Sequence, residues 1–306
     1  MVTGAAGFIG SHLCERLVAD GHEVVGLDSF HPYYARETKQ RNLRELLAGP
    51  RFGFVEADLR TAQLGPLVEG AEAVFHEAAM AGLARSWTDF DEYMTCNVLG
   101  TQRLVEAAFQ AGVKKLVHAS TSSIYGRLAL GDEESLPRPV SPYGATKLCA
   151  ERLALAYQES FGLPVVVLRY FSVYGPRQRP DMAYHIFIER ILRGRPITLF
   201  GDGGQSRSNT YVADAVRATL LAWERGTVGA VYNVGGGETR DLNGVIAVLE
   251  QLVGKRAQID RRPARPGDQL HTKADIQRAE RELGYQPSTP LEEGLRRQVE
   301  WQRAQL

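Results

Sequence analysis

Tyr143 and Lys147 stand four residues apart in the stretch Tyr143-Gly-Ala-Thr-Lys147. On a helix, residues i and i+4 share a face, so a phenol and an ammonium can meet one substrate. A neighbouring ammonium favours the phenolate and lowers the tyrosine pKa. Tyr143 would then act as a general base near neutral pH, with Lys147 as its partner. Ser141 can cap such a helix and Pro142 can open it. Alone, the pair also fits a core tyrosine beside a surface lysine.

A second pattern narrows the reading. Thr3-Gly4-Ala5-Ala6-Gly7-Phe8-Ile9-Gly10 precedes an amphipathic stretch. Gly4 permits a tight turn, Gly7 lets backbone N–H groups approach a pyrophosphate, and Gly10 allows close helix–strand packing. The spacing is GxxGxxG rather than GxGxxG. Asp28 ends the next strand pattern, 18 residues after Gly10. A carboxylate there accepts hydrogen bonds from adenosine ribose hydroxyls and repels a 2′-phosphate, which favours NAD over NADP. The blander alternative is an ordinary strand–helix turn with a capping Asp.

These residues need a scaffold, and the apolar pattern supplies one. Buried-strand runs fall at 23–28, 52–56, 73–76, 114–119 and 164–169. Helical stretches fall at 8–19, 37–47, 91–110 and 141–161. This alternation predicts an α/β fold, a Rossmann-type doubly wound parallel sheet. The glycine turn begins at Thr3, leaving only Met1 and Val2 ahead of it for the first strand. From about Gly175 the texture changes to short strands (197–200, 231–234, 257–260), Pro/Gly-rich loops and a last helix at 291–305. We therefore expect an NAD-binding domain at 1–174 and a smaller mixed α/β substrate-binding region at 175–306, with some segments returning to the first domain.

Composition excludes several classes. The chain has 306 residues, 44% hydrophobic and 24% charged, as in globular proteins. Thirty-six basic residues balance 36 acidic ones, and nucleic-acid binders usually carry a basic excess. No nucleic-acid partner is expected. No apolar run reaches 18 residues and no signal peptide opens the chain, so no membrane partner is expected either. Cys14, Cys96 and Cys149 are far apart and form no CxxC, which argues against a disulfide framework or a metal site and for a cytoplasmic protein.

Taken together, the chain resembles the extended short-chain dehydrogenase/reductase family, the nucleotide-sugar epimerases and dehydratases. The resemblance covers nearly the whole length. It rests on Thr3–Gly10, Tyr143 with Lys147, Ala119-Ser-Thr-Ser-Ser-Ile-Tyr-Gly126, Arg169-Tyr-Phe-Ser-Val-Tyr-Gly-Pro176 and Arg265-Pro-Gly-Asp268. It implies bound NAD, with Phe8 and Ile9 joining Gly4, Gly7, Gly10 and Asp28 on the cofactor. Asp58 and Leu59 match residues that embrace adenine, and Ala78 and Ala79 match the segment beside the nicotinamide. Asn97 matches a structural Asn of the cofactor site. Thr121 matches the Ser/Thr on the sugar 4-hydroxyl, and Tyr143 and Lys147 match the base and its partner. Arg207 and Arg265 match pyrophosphate-binding arginines, and Asp268 an acid on the nucleotide ribose. Arginine forks suit phosphate. His76 and Glu77 read as a strand end and a packed polar pair. Family members commonly form homodimers, implied here through 91–110 and 141–161.

The chemistry divides on a few positions. Dehydratases of the family carry Asp-Glu after the catalytic Thr, where this chain has Ser122 and Ser123. Hydroxyls cannot replace that acid and base at neutral pH, so dehydration is disfavoured. Ser172 and Ser208 stand where many members have Asn and Asp, which argues against a simple galactose epimerase. Thr121, Ser122, Ser123 and Ser172 instead offer donors suited to a sugar carboxylate. Arg179 lies in a loop resembling the uronate-epimerase version, which places a cation near the substrate's pyrophosphate or its carboxylate, and His31-Pro-Tyr-Tyr34 followed by Lys39–Leu47 resembles the insertion of UDP-glucuronate 4-epimerases. The expectation is NAD-dependent C4 epimerisation of a UDP-sugar, UDP-glucuronate to UDP-galacturonate. A neutral-sugar epimerase is the alternative, and a silent NAD-binding sensor the remote one.

Overall fold

The computed structural model describes residues 1–264 and 267–306. Fourteen strands occur among them: β1 (Val2–Thr3), β2 (Val24–Asp28), β3 (Phe52–Glu56), β4 (Ala73–His76), β5 (Lys115–Thr121), β6 (Leu128–Ala129), β7 (Val165–Tyr170), β8 (Val173–Tyr174), β9 (Ile197–Phe200), β10 (Ser206–Tyr211), β11 (Val231–Val234), β12 (Glu238–Asp241), β13 (Ile259–Arg262) and β14 (His271–Thr272). The α-helices are α1 (Phe8–Ala19), α2 (Arg36–Leu47), α3 (Gly65–Val68), α4 (Phe90–Tyr93), α5 (Gly100–Gln110), α6 (Pro142–Phe161), α7 (Ala183–Leu192), α8 (Val212–Arg225), α9 (Leu242–Val253), α10 (Gln277–Leu283) and α11 (Leu291–Arg303).

Seven strands form one parallel sheet in the order β11-β7-β5-β4-β1-β2-β3. Chain order reverses at β1, between β2 and β4, and ligands of such sheets bind outside the carboxyl ends of the strands there. Gly4, Asp28, Glu77 and Thr121 all lie at or just beyond those ends. β1 is as short as the sequence implies, yet Val2 and Thr3 pair on both sides, with β2 and β4. Apolar clusters cover both faces of the sheet, one including Leu13, Phe75, Leu168 and Val216, the other Leu104, Leu116, Val165 and Val167. β11 comes from beyond residue 175 and closes one edge. The short sheets β12-β10-β14-β6, with β8 on β10, and β13-β9 lie outside the main sheet.

Two elements differ from the pattern reading. The helix expected at 91–110 is interrupted by a π-helical turn, Met94–Leu99. Asn97 reaches out of this region to Met80, and Thr101, which donates back to the Asn97 carbonyl, meets His76 of β4; widened turns of this kind often serve such sites. The strand expected at 257–260 lies two residues later, at β13. The Ala257 N–H is held by Glu250 beyond the end of α9 and cannot join β9. No helix among the described residues is long and apolar enough to cross a membrane.

One ion pair ties β7 to α6 inside the protein. Arg169 (1% exposed) donates to both oxygens of Glu151 (0% exposed), at 2.7 and 3.2 Å. Arg169 also donates to the Tyr125 hydroxyl at 2.6 Å and the Glu133 carbonyl at 2.9 Å. Arg169→Met would strand a buried carboxylate and should cost about 3–5 kcal/mol in urea unfolding.

Buried imidazoles add a pH dependence. Burial holds His12 down at about 4 and His76 at about 3, and His118 well below the usual range; Arg177 adds to this at His12 and Lys147 at the other two. The unfolded chain takes up these protons below about pH 6.5, whereas the folded chain does not. Stability contributed by the neutral rings is therefore lost as pH falls from 6.5. Glu77, raised to about 7 by burial, works the other way between its unfolded value of 4.5 and 7. His185, also lowered by burial, joins these three, and Glu133, also raised by burial, joins Glu77; four imidazoles outweigh two carboxyls, so the urea midpoint should drop between about pH 6.5 and pH 4.5, and His118→Leu should flatten that slope.

Candidate active site

One large cavity of about 1000 Å³ opens along the carboxyl edge of the main sheet. At its centre the glycine turn leaves β1 with Gly4 at φ +71°. A Cβ on Gly4 would sit 2.8 Å from the Ala78 nitrogen, and one on Gly10 would sit 2.2 Å from the Gly4 carbonyl oxygen. Both glycines are therefore required by close backbone approach. Gly7 caps α1 with no side-chain hydrogen bond and no acidic residue in the first turn. The first turn of α1 thus borders the cavity with no acidic residue of its own, a fit for a pyrophosphate. Phe8 and Ile9 also line the cavity.

Asp28 ends β2 on the same wall. It accepts hydrogen bonds from Phe30 N at 2.8 Å and Ala6 N at 3.3 Å, and pairs with the buried Lys39 at 3.5 Å. Lys39 opens the Lys39–Leu47 part of the insertion-like segment, but sequence alone assigns it no role at the site. Farther along this wall lie Asp58 and Leu59. Arg60 grips the Asp58 carboxylate at 2.7 Å and, with its backbone N–H, holds it below the usual range despite burial.

Ala78 and Ala79 follow β4 along the cavity. Thr3 accepts the Ala78 N–H at 3.2 Å and bonds His76 at 2.8 Å, while His76 reaches Thr101 on its other nitrogen. His76 is thus structural, as expected. Glu77 is not merely packed: it lines the cavity, and its carboxylate accepts a hydrogen bond from the Tyr170 hydroxyl at 2.9 Å. Asn97 does not reach the cavity. Its amide bonds Met80 N at 2.7 Å, Met80 O at 2.9 Å and Thr146 at 3.1 Å, so it clamps the 78–81 segment to α6 from behind. Its place among cofactor contacts is corrected to one step behind them.

The chemical groups converge on the opposite wall. Ser141 caps α6 by accepting the Gly144 N–H at 3.1 Å, and Pro142 opens the helix. This puts Tyr143 and Lys147 on the cavity together. Thr121 ends β5 and accepts the Ser123 N–H at 3.2 Å. Thr121, Ser122 and Ser123 are all buried against the cavity, and Ser172 joins them just after β7. Arg179 is held by Asp181 through two hydrogen bonds of 2.9 Å and stacks over Tyr33 at 5.5 Å. Arg177 turns away, to Glu15 on α1 at 2.6 Å.

Burial pushes the Tyr143 phenol above its ordinary value, opposed by a hydrogen bond from Thr121 and by the Arg179 charge. The expected lowering by Lys147 is not found; the cation that acts on Tyr143 is Arg179. Lys147 is itself pushed down to about 8 by burial, against the pull of Glu77 and Glu151.

At the far end Arg207 donates to the backbone carbonyls of Gln269 at 2.6 Å and Leu270 at 3.2 Å, and shares the cavity with Asp268. Gln269 holds the carbonyls of Ser122 and Gly126, which fixes this segment beside the hydroxyl run. Arg265 lies outside the described residues. Thr198, Leu199 and Phe200 also line this end and were missed, because a short strand carries no signal of the cavity it faces.

Comparison with known proteins agrees with this architecture. Residues 1–235 match the NAD dependent epimerase/dehydratase family. The chain is 39% identical to a UDP-glucuronate 4-epimerase of Thermodesulfobacterium geofontis, over 100% of this chain and 96% of that one. It is 40% identical to a UDP-glucose 4-epimerase of Mycolicibacterium smegmatis, over 98% and 97%. It is similar to the UDP-glucuronic acid 4-epimerase of Bacillus cereus, solved with UDP-glucuronic acid and NAD, with a TM-score of 0.97 and 41% identity over 100% of this chain and 99% of that one. The chain belongs to the NAD dependent epimerase/dehydratase family.

Proposed function

We propose that this protein interconverts the C4 epimers of a UDP-hexuronate, UDP-glucuronate and UDP-galacturonate, with NAD held along the glycine turn, Asp28, Asp58 and Ala78–Ala79. The observation that carries the reading is the hydroxyl cluster Thr121, Ser122, Ser123 and Ser172, sharing one cavity with Tyr143, Lys147 and Arg179. The similarity to the Bacillus cereus enzyme supports it.

Thr121 holds the sugar 4-hydroxyl and Tyr143 takes its proton. Bound NAD supplies the hydride acceptor, and later the hydride donor, at C4. A cationic wall favours the phenolate, offsetting the burial that raises Tyr143. After the 4-keto sugar turns over, C4 presents its opposite face to the returning hydride while Tyr143 returns the proton to the C4 oxygen, so the C4 epimer forms with no net redox change. A 4-keto uronate is a β-keto acid and loses CO₂ when its carboxylate can align with the carbonyl system. Ser122, Ser123, Ser172 and Arg179 pin the carboxylate away from that alignment. Arg207 and Asp268, with Arg265, hold the nucleotide end.

A neutral-sugar epimerase is the second reading, favoured by the similarity to the Mycolicibacterium smegmatis enzyme. We also propose a homodimer through α5 and α6, where Phe109 and Phe161 lie exposed and in contact, their rings 5.3 Å apart. A cytoplasmic setting is supported by three free cysteines.

NMR of products from UDP-glucuronate and UDP-glucose tests the substrate: conversion of the uronate alone is expected, and conversion of UDP-glucose alone would replace it with the second reading. Tyr143→Phe should lower turnover by about 10²–10⁴-fold. Replacing Ser122 and Ser123 together with Ala should raise the decarboxylated by-product or weaken uronate binding; no change in either would remove their assigned role. Light scattering should give twice the chain mass.

A further inference from the structure

Arg179 carries the charge that a uronate needs, and its neighbours show how that charge is aimed. The loop after β8 is pinned ahead of it. Arg177, at φ +64°, donates to Glu15 of α1 at 2.6 Å, and His12 of the same helix donates to the Pro176 carbonyl at 3.0 Å. The buried Gln178 donates to the Val173 carbonyl at 3.1 Å and accepts from Gln298 of α11 at 2.8 Å. These contacts fix the backbone leading into Arg179 but not its long side chain.

Asp181 supplies that constraint. It accepts two hydrogen bonds of 2.9 Å, from the Nε and Nη2 edge of the Arg179 guanidinium. A planar fork gripped along one edge cannot swing. The group has five N–H donors, and two are spent here. Among the described residues Nη1 makes no hydrogen bond, and Arg179 lines the cavity with Tyr143, Ser122 and Ser123. Asp181 is braced from the loop after β2. Tyr33 donates to it at 3.3 Å, and the Tyr33 ring lies 5.5 Å from the Arg179 guanidinium carbon. Arg85 holds Tyr33 in turn, over its ring at 4.7 Å and on its carbonyl at 3.3 Å. Gly82 leaves the room that the Tyr33 hydroxyl fills, since a Cβ there would sit 2.5 Å from it.

We propose that Asp181, braced by Tyr33, is a positioning residue for uronate recognition: it locks one edge of the Arg179 fork so that the other edge meets the sugar carboxylate. The inference rests on the reading of the substrate as a UDP-hexuronate. Its physical gain is preorganisation. A loose arginine loses rotamer freedom when it binds, whereas here that loss is taken on folding. Asp181 is also an anion beside the site, and a mere placeholder would compete with the substrate carboxylate. The two roles give opposite effects when its charge is removed.

Equilibrium binding to the NAD-loaded protein separates them. On a Tyr143→Phe background bound sugar turns over slowly, and titration with UDP-glucuronate, UDP-glucose and UDP reads carboxylate, neutral sugar and pyrophosphate in turn. Asp181→Asn should weaken UDP-glucuronate about tenfold and leave the other two little changed. Tyr33→Phe keeps the ring and drops one hydrogen bond, so it should give a smaller loss in the same direction, and it serves as the test if Asp181→Asn does not fold. Added to Arg179→Met, Asp181→Asn should have no further effect, because it acts through that side chain. Unchanged or tighter uronate binding would overturn the proposal. An equal loss for all three ligands would place Arg179 on the pyrophosphate and overturn it too, as would full additivity with Arg179→Met. A selective loss of uronate affinity in a protein that epimerises only UDP-glucose would support the positioning role and overturn the uronate reading instead.

Discussion

The buried pairing of Arg169 with Glu151 is the contact on which the site depends. It joins the sheet at β7 to α6, and Ser120 of β5 bonds the same carboxylate. Thr121 is the next residue of β5, and Lys147 is one helical turn from Glu151. The hydroxyl wall and the lysine are therefore set by one charge-assisted network rather than by separate loops. Tyr125 and Asn233 extend it to β11 through a 2.8 Å hydrogen bond. A guanidinium fork suits this position because its fixed geometry satisfies two carboxylate oxygens at once.

Around this anchor the parallel sheet arranges the rest. All strands of the main sheet run the same way, so their carboxyl ends share one edge, and the loops that leave it share one cavity. Backbone closeness at the switch point demands Gly4 and Gly10, since a side-chain carbon at either would strike a neighbouring main-chain atom. Asn97 acts from the other side, holding the 78–81 segment against α6 so that the wall cannot drift from the catalytic helix.

Burial and charge then oppose each other within the cavity. Low-polarity surroundings disfavour both a phenolate and an ammonium. Tyr143 is compensated by Thr121 and Arg179, and Lys147 by Glu77 and Glu151. Arg179 keeps its charge because Asp181 satisfies it, and Tyr33 links that pair to the loop after β2. The loop after β2 and the loop after β8 thus close over the cavity together.

Much of this was legible before any coordinates. The i, i+4 spacing of Tyr143 and Lys147, the capping by Ser141 and Pro142, the glycine turn and the acid ending β2 are local patterns. Local patterns survive in a linear sequence because helix and strand periods are set by the backbone itself. The uninterrupted apolar runs announced buried parallel strands, and most strand limits agree within two residues. The π-helical turn at Met94–Leu99 was not legible, because Asn97 is drawn inward by Met80 and Thr146, partners that no helical period reveals. Nor were the bonds of Glu151 to Arg169 and of Glu77 to Tyr170: Arg169 is 18 residues from Glu151 in sequence, and Tyr170 is 93 from Glu77. The sequence by itself determined the elements, the dinucleotide turn and the catalytic pair. Tertiary structure alone decided which charges survive burial, because a charge is set by the groups packed against it, and packing brings those from distant parts of the chain.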